Sequence, residues 1–177
     1  MKKNQILALL LAAVMLLGSV SAAGFIDTDG HWAKSYIDSL SAKGMIQGYE
    51  DGSFRPEGQV TYLETLTFVS RLYSLKGVPT DTIVKKWQPV IEDAMKGSAT
   101  WSYTNLALCL EAGVLTQAEL QELTAKGQIN GAASREDLAV CLTRAMQLAP
   151  VAATLRTYSL TFPDAAKISK DAMASVY

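Results

Sequence analysis

The chain has 177 residues, with 16 lysines and arginines against 17 aspartates and glutamates, so its formal net charge is −1. This balance excludes a strongly basic nucleic-acid binder and a polyacidic tail protein. Apolar residues make up 49% and charged residues 19% of the chain, which is the composition of a folded protein. One histidine and two cysteines exclude most His/Cys metal clusters and any framework of several disulfides.

The first 23 residues have the organisation of a secretory signal peptide. Lys2 and Lys3 precede an unbroken apolar run from Ile6 to Leu17, and small residues follow at positions 18–23. A transmembrane helix needs roughly 18 or more apolar residues, and this run is shorter. We therefore predict export with cleavage near Ala23 and no permanent membrane span.

Residues 24–76 read as a helix, a glycine-rich loop and a second helix. Asp29 is a candidate cap for the first helix, and Gly44 fits the left-handed position that ends one. The Asp51-Gly52 pair predicts a tight turn in the loop, and Thr61 should begin the second helix. The apolar residues at helical spacing are Trp32, Ala33, Tyr36, Ile37 and Leu40 in the first helix, and Leu63, Leu66, Val69, Leu72 and Tyr73 in the second.

A weaker copy of this pattern occupies residues 88–148. Residues 91–94 resemble the opening at 25–28, and Trp101 resembles Trp32. The spacing of Thr116 and Glu119 predicts a short extra helix with a capping box. A third copy begins within residues 159–177. Residues 77–87, with a short helix near Thr82 to Lys86, and residues 149–158 are predicted linkers. A period of roughly 50 to 65 residues indicates packed repeats.

The first copy resembles the surface-layer homology (SLH) repeat. The matching residues are Phe25 and Asp27, His31-Trp32-Ala33, Gly44-Met45-Ile46, Gly48-Tyr49, Asp51-Gly52, Phe54, Pro56, Val60-Thr61 and Glu64. The resemblance is strong over about 50 residues, moderate in the second copy and weak in the last 16 or so. It implies an all-α bundle in which three repeats pack with pseudo-threefold symmetry, the third one being incomplete here.

The resemblance also implies a function, which is the non-covalent attachment of exported bacterial proteins to a cell-wall polysaccharide, often one carrying pyruvate ketals. In the family, a Thr-Arg-Ala-Glu stretch at the start of the second helix supplies the ligand-binding arginine, and grooves between neighbouring repeats hold the sugar. Tyr62 takes the arginine position in the first copy, whereas Arg135 keeps it in the second. The resemblance therefore predicts at most one groove with its usual arginine.

The candidate ligand residues combine charge, helix caps and aromatic faces. Arginine offers a planar donor fork that fits a carboxylate, and aromatic rings can pack on sugar C–H surfaces. The candidates are Arg135, Ser134, Asp137, Thr61, Glu64, Tyr62, Trp32, Tyr49 and Trp101. Helix capping is the favoured role for Thr61 and Glu64. Core packing is favoured over sugar stacking for Trp32 and Trp101, because both lie on apolar stripes.

The sequence gives only weak support for a metal site, a histidine site or a disulfide. Asp27 to Gly30 hint at a calcium loop, but the glycine and glutamate that such a loop requires at its sixth and twelfth positions are missing. His31 is predicted to be a surface residue of a first helical turn. Cys109 and Cys141 are predicted to be buried free thiols, with a disulfide between them as the alternative that export permits. We expect neither a metal nor a cofactor.

No serine-hydrolase elbow, zinc-protease motif or phosphate loop occurs in the sequence. We therefore predict a non-catalytic, exported wall-binding module at the cell surface, with cell-wall polysaccharide as its partner. One alternative is a structural unit of the cell envelope that has lost sugar binding and self-associates, which the replacement of arginine by Tyr62 favours. The other is the anchoring fragment of a surface hydrolase whose catalytic part follows Tyr177.

Overall fold

The computed structural model describes residues 24–74, 79–155 and 159–177. The predicted signal peptide lies outside these residues. The described chain contains eight α-helices and no β-strand, so the prediction of an all-α fold is confirmed. We number the α-helices as follows: α1 Lys34–Ala42, α2 Tyr62–Ser74, α3 Thr80–Met95, α4 Tyr103–Glu111, α5 Gln117–Ala125, α6 Arg135–Ala145, α7 Ala149–Ala152 and α8 Met173–Val176. Short 3₁₀ helices span Thr100–Ser102, Gln128–Asn130 and Ala165–Lys167. No helix in the described part of the chain is long and apolar enough to cross a membrane.

The chain divides into two compact units, Met1–Glu57 and Gly58–Tyr177. The first contains α1 and the glycine-rich loop. Gly44 ends α1 with a φ of +69°, as predicted, but the residue before α1 is Ala33, and Asp29 does not cap the helix. The Asp29 carboxylate instead lies 3.5 Å from the Lys34 ammonium, which also pairs with Asp38 within the helix.

Asp27 holds the glycine-rich loop of this first unit in place. Its two carboxylate oxygens accept hydrogen bonds from the backbone N–H groups of Phe54 (2.8 Å) and Arg55 (2.7 Å). These bonds lower the pKa of Asp27, the one from Phe54 most strongly. The role of Asp27 is therefore structural. The loop also requires glycine at position 48, because a side chain there would come within 2.4 Å of the Phe25 ring.

The second unit is built around α2, which packs against α4 and α6, while α3 packs on α4 and α5. Its largest fully buried side chains are Leu66, Ile91, Leu106, Leu115, Leu120, Val69 and Val114. Both cysteines are buried and free, so the structure contains the thiols rather than the alternative disulfide. The Sγ of Cys109 lies 3.3 Å from the carbonyl oxygen of Leu66, and that of Cys141 lies 3.9 Å from the Tyr62 hydroxyl.

The prediction that residues 77–87 form a linker with only a short helix is wrong. Helix α3 runs for 16 residues, and residues 91–94, which resemble the opening loop of the first copy, lie inside it. Ile83, Ile91 and Met95 are buried, and their spacing of four or eight residues places them on one face of a helix. Pro89 is exposed, so the backbone hydrogen bond that it removes is lost on the solvent side.

The predicted core positions of two tryptophans are also wrong. The exposed fraction is 79% for Trp32 and 60% for Trp101. Trp32 precedes the first residue of α1, and Trp101 lies in the 3₁₀ helix Thr100–Ser102 rather than in α4. Neither residue is part of the α-helix whose periodicity predicted its burial, so the apolar stripe does not continue to them.

The last segment packs on the end of the second unit. Helix α8 contacts α6 and α7. The backbone N–H of Ser169 donates to the Glu136 carboxylate at 3.0 Å, and the Thr143 hydroxyl lies 3.4 Å from the carbonyl oxygen of Ser175. The predicted third copy is thus represented in the structure by a 3₁₀ turn and a short helix beside α6.

Candidate functional site

Two helix N-termini of the second unit lie side by side. Thr61, which precedes α2, and Ala132, which lies shortly before α6, form an isolated antiparallel bridge. The N–H of Tyr62 donates to the carbonyl oxygen of Gly131 at 2.9 Å, and the N–H of Ala133 donates to that of Val60 at 2.8 Å. This pairing brings together the two stretches that resemble the ligand-binding motif of the family, although they are about 70 residues apart in the chain.

Both helix starts are closed by capping boxes. The Glu64 carboxylate accepts from the Thr61 N–H (2.8 Å) and hydroxyl (2.9 Å), while the Thr61 hydroxyl oxygen accepts from the Glu64 N–H (3.2 Å). Ser134 and Asp137 repeat this arrangement at α6, with distances of 2.7 to 3.0 Å. The predicted capping role of these residues is confirmed, and each cap contributes about 1 kcal/mol to stability.

A depression of about 230 Å³ lies at the junction of these helix starts. Its lining residues are Tyr62, Leu123, Gln128, Gly131, Ala132 and Asp137. Burial raises the pKa of Tyr62 far above its usual range. Its hydroxyl is directed towards the buried Cys141 thiol. Tyr62 therefore contributes its aromatic ring to the depression in place of the cation expected from the family motif.

Arg135 is the first residue of α6 and is exposed. Its guanidinium makes no hydrogen bond or ion pair with any described residue. The neighbouring carboxylates are already engaged, since Glu136 accepts from the Ser169 N–H and Asp137 caps the helix. A cation at a helix N-terminus is opposed by the helix dipole, so the helix gains no stability from Arg135. This guanidinium is accessible to an external anion.

The lining of the depression includes none of the remaining aromatic candidates, Trp32, Tyr49 and Trp101. Trp32 and Tyr49 belong to the first compact unit. The Tyr49 ring, which is 40% exposed, is covered on one side by the Arg55 guanidinium at 4.0 Å from its centroid, and Arg55 also pairs with Asp51 at 2.8 Å. Trp101 belongs to the second unit but precedes α4, which packs against α2 and α3.

Sequence reasoning missed an interaction that fixes α6 on α5. The Arg144 guanidinium binds both oxygens of Glu119 at 3.0 to 3.1 Å and the carbonyl oxygen of Val114 at 3.0 Å. Burial opposes the ionisation of Glu119, but the hydrogen bonds from Thr116 and the charge of Arg144 outweigh it, so the pKa of Glu119 is lowered. Of this pair the sequence analysis named only Glu119, as a capping residue, and Arg144 was not singled out.

His31 was predicted as a surface residue, and it is half-buried. Its Nδ1 accepts the N–H of Ala33 at 3.1 Å, which leaves Nε2 to donate to the Glu57 carboxylate at 2.7 Å. The imidazole is fixed at both nitrogens beside the exposed Trp32 ring. Within the described residues, no three His, Cys, Asp or Glu side chains lie close enough together to hold a metal ion.

Comparison with known proteins places the first of the predicted repeats in a family. Residues 24–66 match the S-layer homology domain. The chain is similar to the cellulosome-anchoring protein of Acetivibrio thermocellus, with 35% identity over 81 residues, which are 46% of this chain and 16% of that protein. It is similar to the outer membrane protein SlpA of Thermus thermophilus, with 36% identity over 73 residues, 41% of this chain and 8% of that protein.

A longer similarity reaches beyond the first repeat. The S-layer protein EA1 of Bacillus anthracis is 30% identical over 135 residues, which are 73% of this chain and 15% of that protein. The chain thus spans less than a fifth of the length of each of these relatives. No solved structure matches it. The match at residues 24–66 and these similarities show that the chain carries an S-layer homology domain.

Proposed function

We propose that this protein is a non-catalytic module that attaches to an acidic cell-wall polysaccharide at the bacterial surface. The observation that carries the proposal is the S-layer homology domain at residues 24–66. The relatives include a cellulosome-anchoring protein and an S-layer protein, and these names support localisation at the cell wall or surface. A pyruvylated polymer is the ligand that the family resemblance favours.

The accessible guanidinium of Arg135 is the proposed anion-binding group. A carboxylate can accept two parallel hydrogen bonds from one guanidinium, and such charge-assisted bonds are the strong ones at a solvated surface. Ser134 and Asp137, like Thr61 and Glu64, contribute by fixing the two helix starts on either side of the depression. Trp32, Tyr49 and Trp101 are proposed to pack on sugar rings, which their exposed faces permit.

Sedimentation of the protein with purified wall polysaccharide tests this proposal. The polymer should be used in its native form and after chemical removal of pyruvate. Arg135→Ala should weaken binding to the native polymer roughly ten- to a hundredfold, as expected for the loss of a charge-assisted hydrogen-bonded pair. Lys85→Ala is the matched control, because Lys85 is an exposed cation of α3 in the same unit. If the two variants bind equally well, Arg135 is not the anion-binding group.

The second candidate function is a structural unit of the envelope that associates through protein contacts. Tyr62 favours it, because a half-buried tyrosine takes the place of the expected arginine and packs towards Cys141. This candidate predicts concentration-dependent self-association without any polymer. Analytical ultracentrifugation across a hundredfold range of protein concentration distinguishes the two functions, because a wall-binding module of the first kind stays at constant mass until polymer is added.

A further inference from the structure

We infer that the depression between the starts of α2 and α6 is a subsite for one uncharged pyranose unit of the polymer, next to the acid-binding Arg135. This inference rests on the proposed function. The family motif implies an acidic ligand held by arginine, whereas the side chains that line the depression favour a neutral one.

The charge of the lining excludes an acidic ligand. The lining contains one carboxylate, Asp137, and no cation. Oδ2 of Asp137 accepts the capping bonds from Ser134, while Oδ1 has no partner in the described part of the chain. A pyruvate carboxylate placed here would face a like charge without a compensating cation. A sugar hydroxyl, in contrast, can donate to the vacant oxygen.

The remaining lining groups suit a neutral sugar. Tyr62 contributes a half-buried aromatic side chain to the lining, and its hydroxyl lies 3.9 Å from the Cys141 Sγ. The Gln128 carboxamide is exposed and has no hydrogen-bond partner among the described residues, so it can both donate and accept. The N–H and C=O of Ala132 are likewise unpaired there, because the neighbouring bonds of the bridge use Gly131 and Ala133.

The size and surroundings of the depression support the same ligand class. A volume of about 230 Å³ is below the 300 to 1,000 Å³ usual for drug-sized ligands, which favours a single sugar ring. A second depression, between α3 and α5, lacks these features: it has no aromatic side chain, and its Lys96 and Asp93 pair with each other at 2.7 Å. We therefore assign the neutral subsite to the first depression alone among those described.

Sedimentation with depyruvylated wall polymer tests the subsite separately from Arg135. The unmodified protein should retain measurable affinity for this polymer. Gln128→Ala should weaken that affinity about two- to tenfold, the effect of one lost hydrogen bond. Arg135→Ala should weaken binding to the native polymer more than it weakens binding to the depyruvylated polymer. Gln121→Ala, an exposed glutamine that lines the second depression, is the matched control.

Two variants of Tyr62 complete the test. Tyr62→Phe keeps the ring and should weaken the binding of depyruvylated polymer less than Gln128→Ala does. Tyr62→Arg places a cation in the depression and should raise the preference for native over depyruvylated polymer about tenfold. Circular dichroism controls for folding. If the native polymer binds and the depyruvylated polymer does not, the subsite is refuted while the proposed function stands. If neither polymer binds, the proposed function itself fails.

Discussion

Replacing Trp32 by alanine is expected to change the stability of the first unit only slightly, although tryptophan is the largest apolar side chain. Trp32 is 79% exposed, so about a fifth of its surface is covered. With a total of about 250 Å² for the side chain, this is roughly 50 Å² of buried area. At about 25 cal/mol per Å², burial contributes at most ~1.3 kcal/mol.

If Trp32 lay in the core, its replacement by alanine would lower the stability far more. Truncation of a buried tryptophan to alanine costs about 3 to 5 kcal/mol. Ile37 provides the matched control in the same unit, because it is 5% exposed and lies on α1. Ile37→Ala should therefore destabilise α1 by about 2 to 5 kcal/mol, more than Trp32→Ala does.

Native-state hydrogen exchange measures this difference locally. The N–H of Ile37 donates to the carbonyl oxygen of Ala33 at 3.0 Å, so its exchange rate reports the opening of α1 in the unmodified protein and in Trp32→Ala. For Ile37→Ala the amide of the new alanine serves the same purpose. Urea unfolding followed by circular dichroism gives the global value. A loss of 3 kcal/mol or more in Trp32→Ala would show that the indole is buried in solution and that the exposed position is incorrect.

Three further predictions concern the core, the loop and the thiols. Leu66→Ala should lower the free energy of unfolding by about 3 to 5 kcal/mol in urea titrations, because Leu66 is fully buried at the centre of α2; a loss below 1 kcal/mol would contradict that packing. The carboxylate of Asp27 has a lowered pKa, so the stability that it gives the loop is present above about pH 4 and is lost as the pH falls through the lowered value. The amide proton of Phe54, followed by NMR, should titrate with a midpoint below 3.8, and a midpoint at or above 3.8 would refute this assignment. Burial raises the pKa values of Cys109 and Cys141, so a thiol reagent at pH 7 should modify both only in urea, and fast modification in buffer would show that they are accessible.

Local signals in the sequence predicted the helix starts well. The spacing of Thr61 and Glu64, of Thr116 and Glu119 and of Ser134 and Asp137 was sufficient, because a capping box depends only on residues three positions apart. Gly44 was placed correctly for the same reason. Such features need no knowledge of the rest of the fold.

The errors arose where local signals were ambiguous. Residues 77–87 were predicted as a linker, but Pro79 directly precedes α3 and Pro89 faces solvent, so neither proline prevents the helix. Trp32 and Trp101 were assigned by a helical period that begins only after them. The period of a helix predicts burial within its own bounds, and those bounds are the least certain part of a sequence-based prediction.

Contacts between distant residues were not accessible to sequence reasoning. The bonds from Phe54 and Arg55 to Asp27 span 27 and 28 positions, and the bond from Arg144 to Glu119 spans 25. The candidate site depends on a still longer contact, the bridge between Thr61 and Ala132. Tyr62, Arg135 and Asp137 were therefore candidates from the sequence, but Gln128 and the arrangement around one depression were not.

That arrangement changes the electrostatic argument for ligand binding. The start of a helix ordinarily attracts an anion through its free N–H groups and its dipole. In the structure the Asp137 carboxylate already accepts bonds at this helix start, and Glu64 does the same at α2. Each helix end is thus supplied with an internal anion, and an external carboxylate would meet a negative charge there. Attraction for an acidic sugar must come from the exposed Arg135 side chain, whereas the capped helix ends beside the depression favour hydroxyl groups.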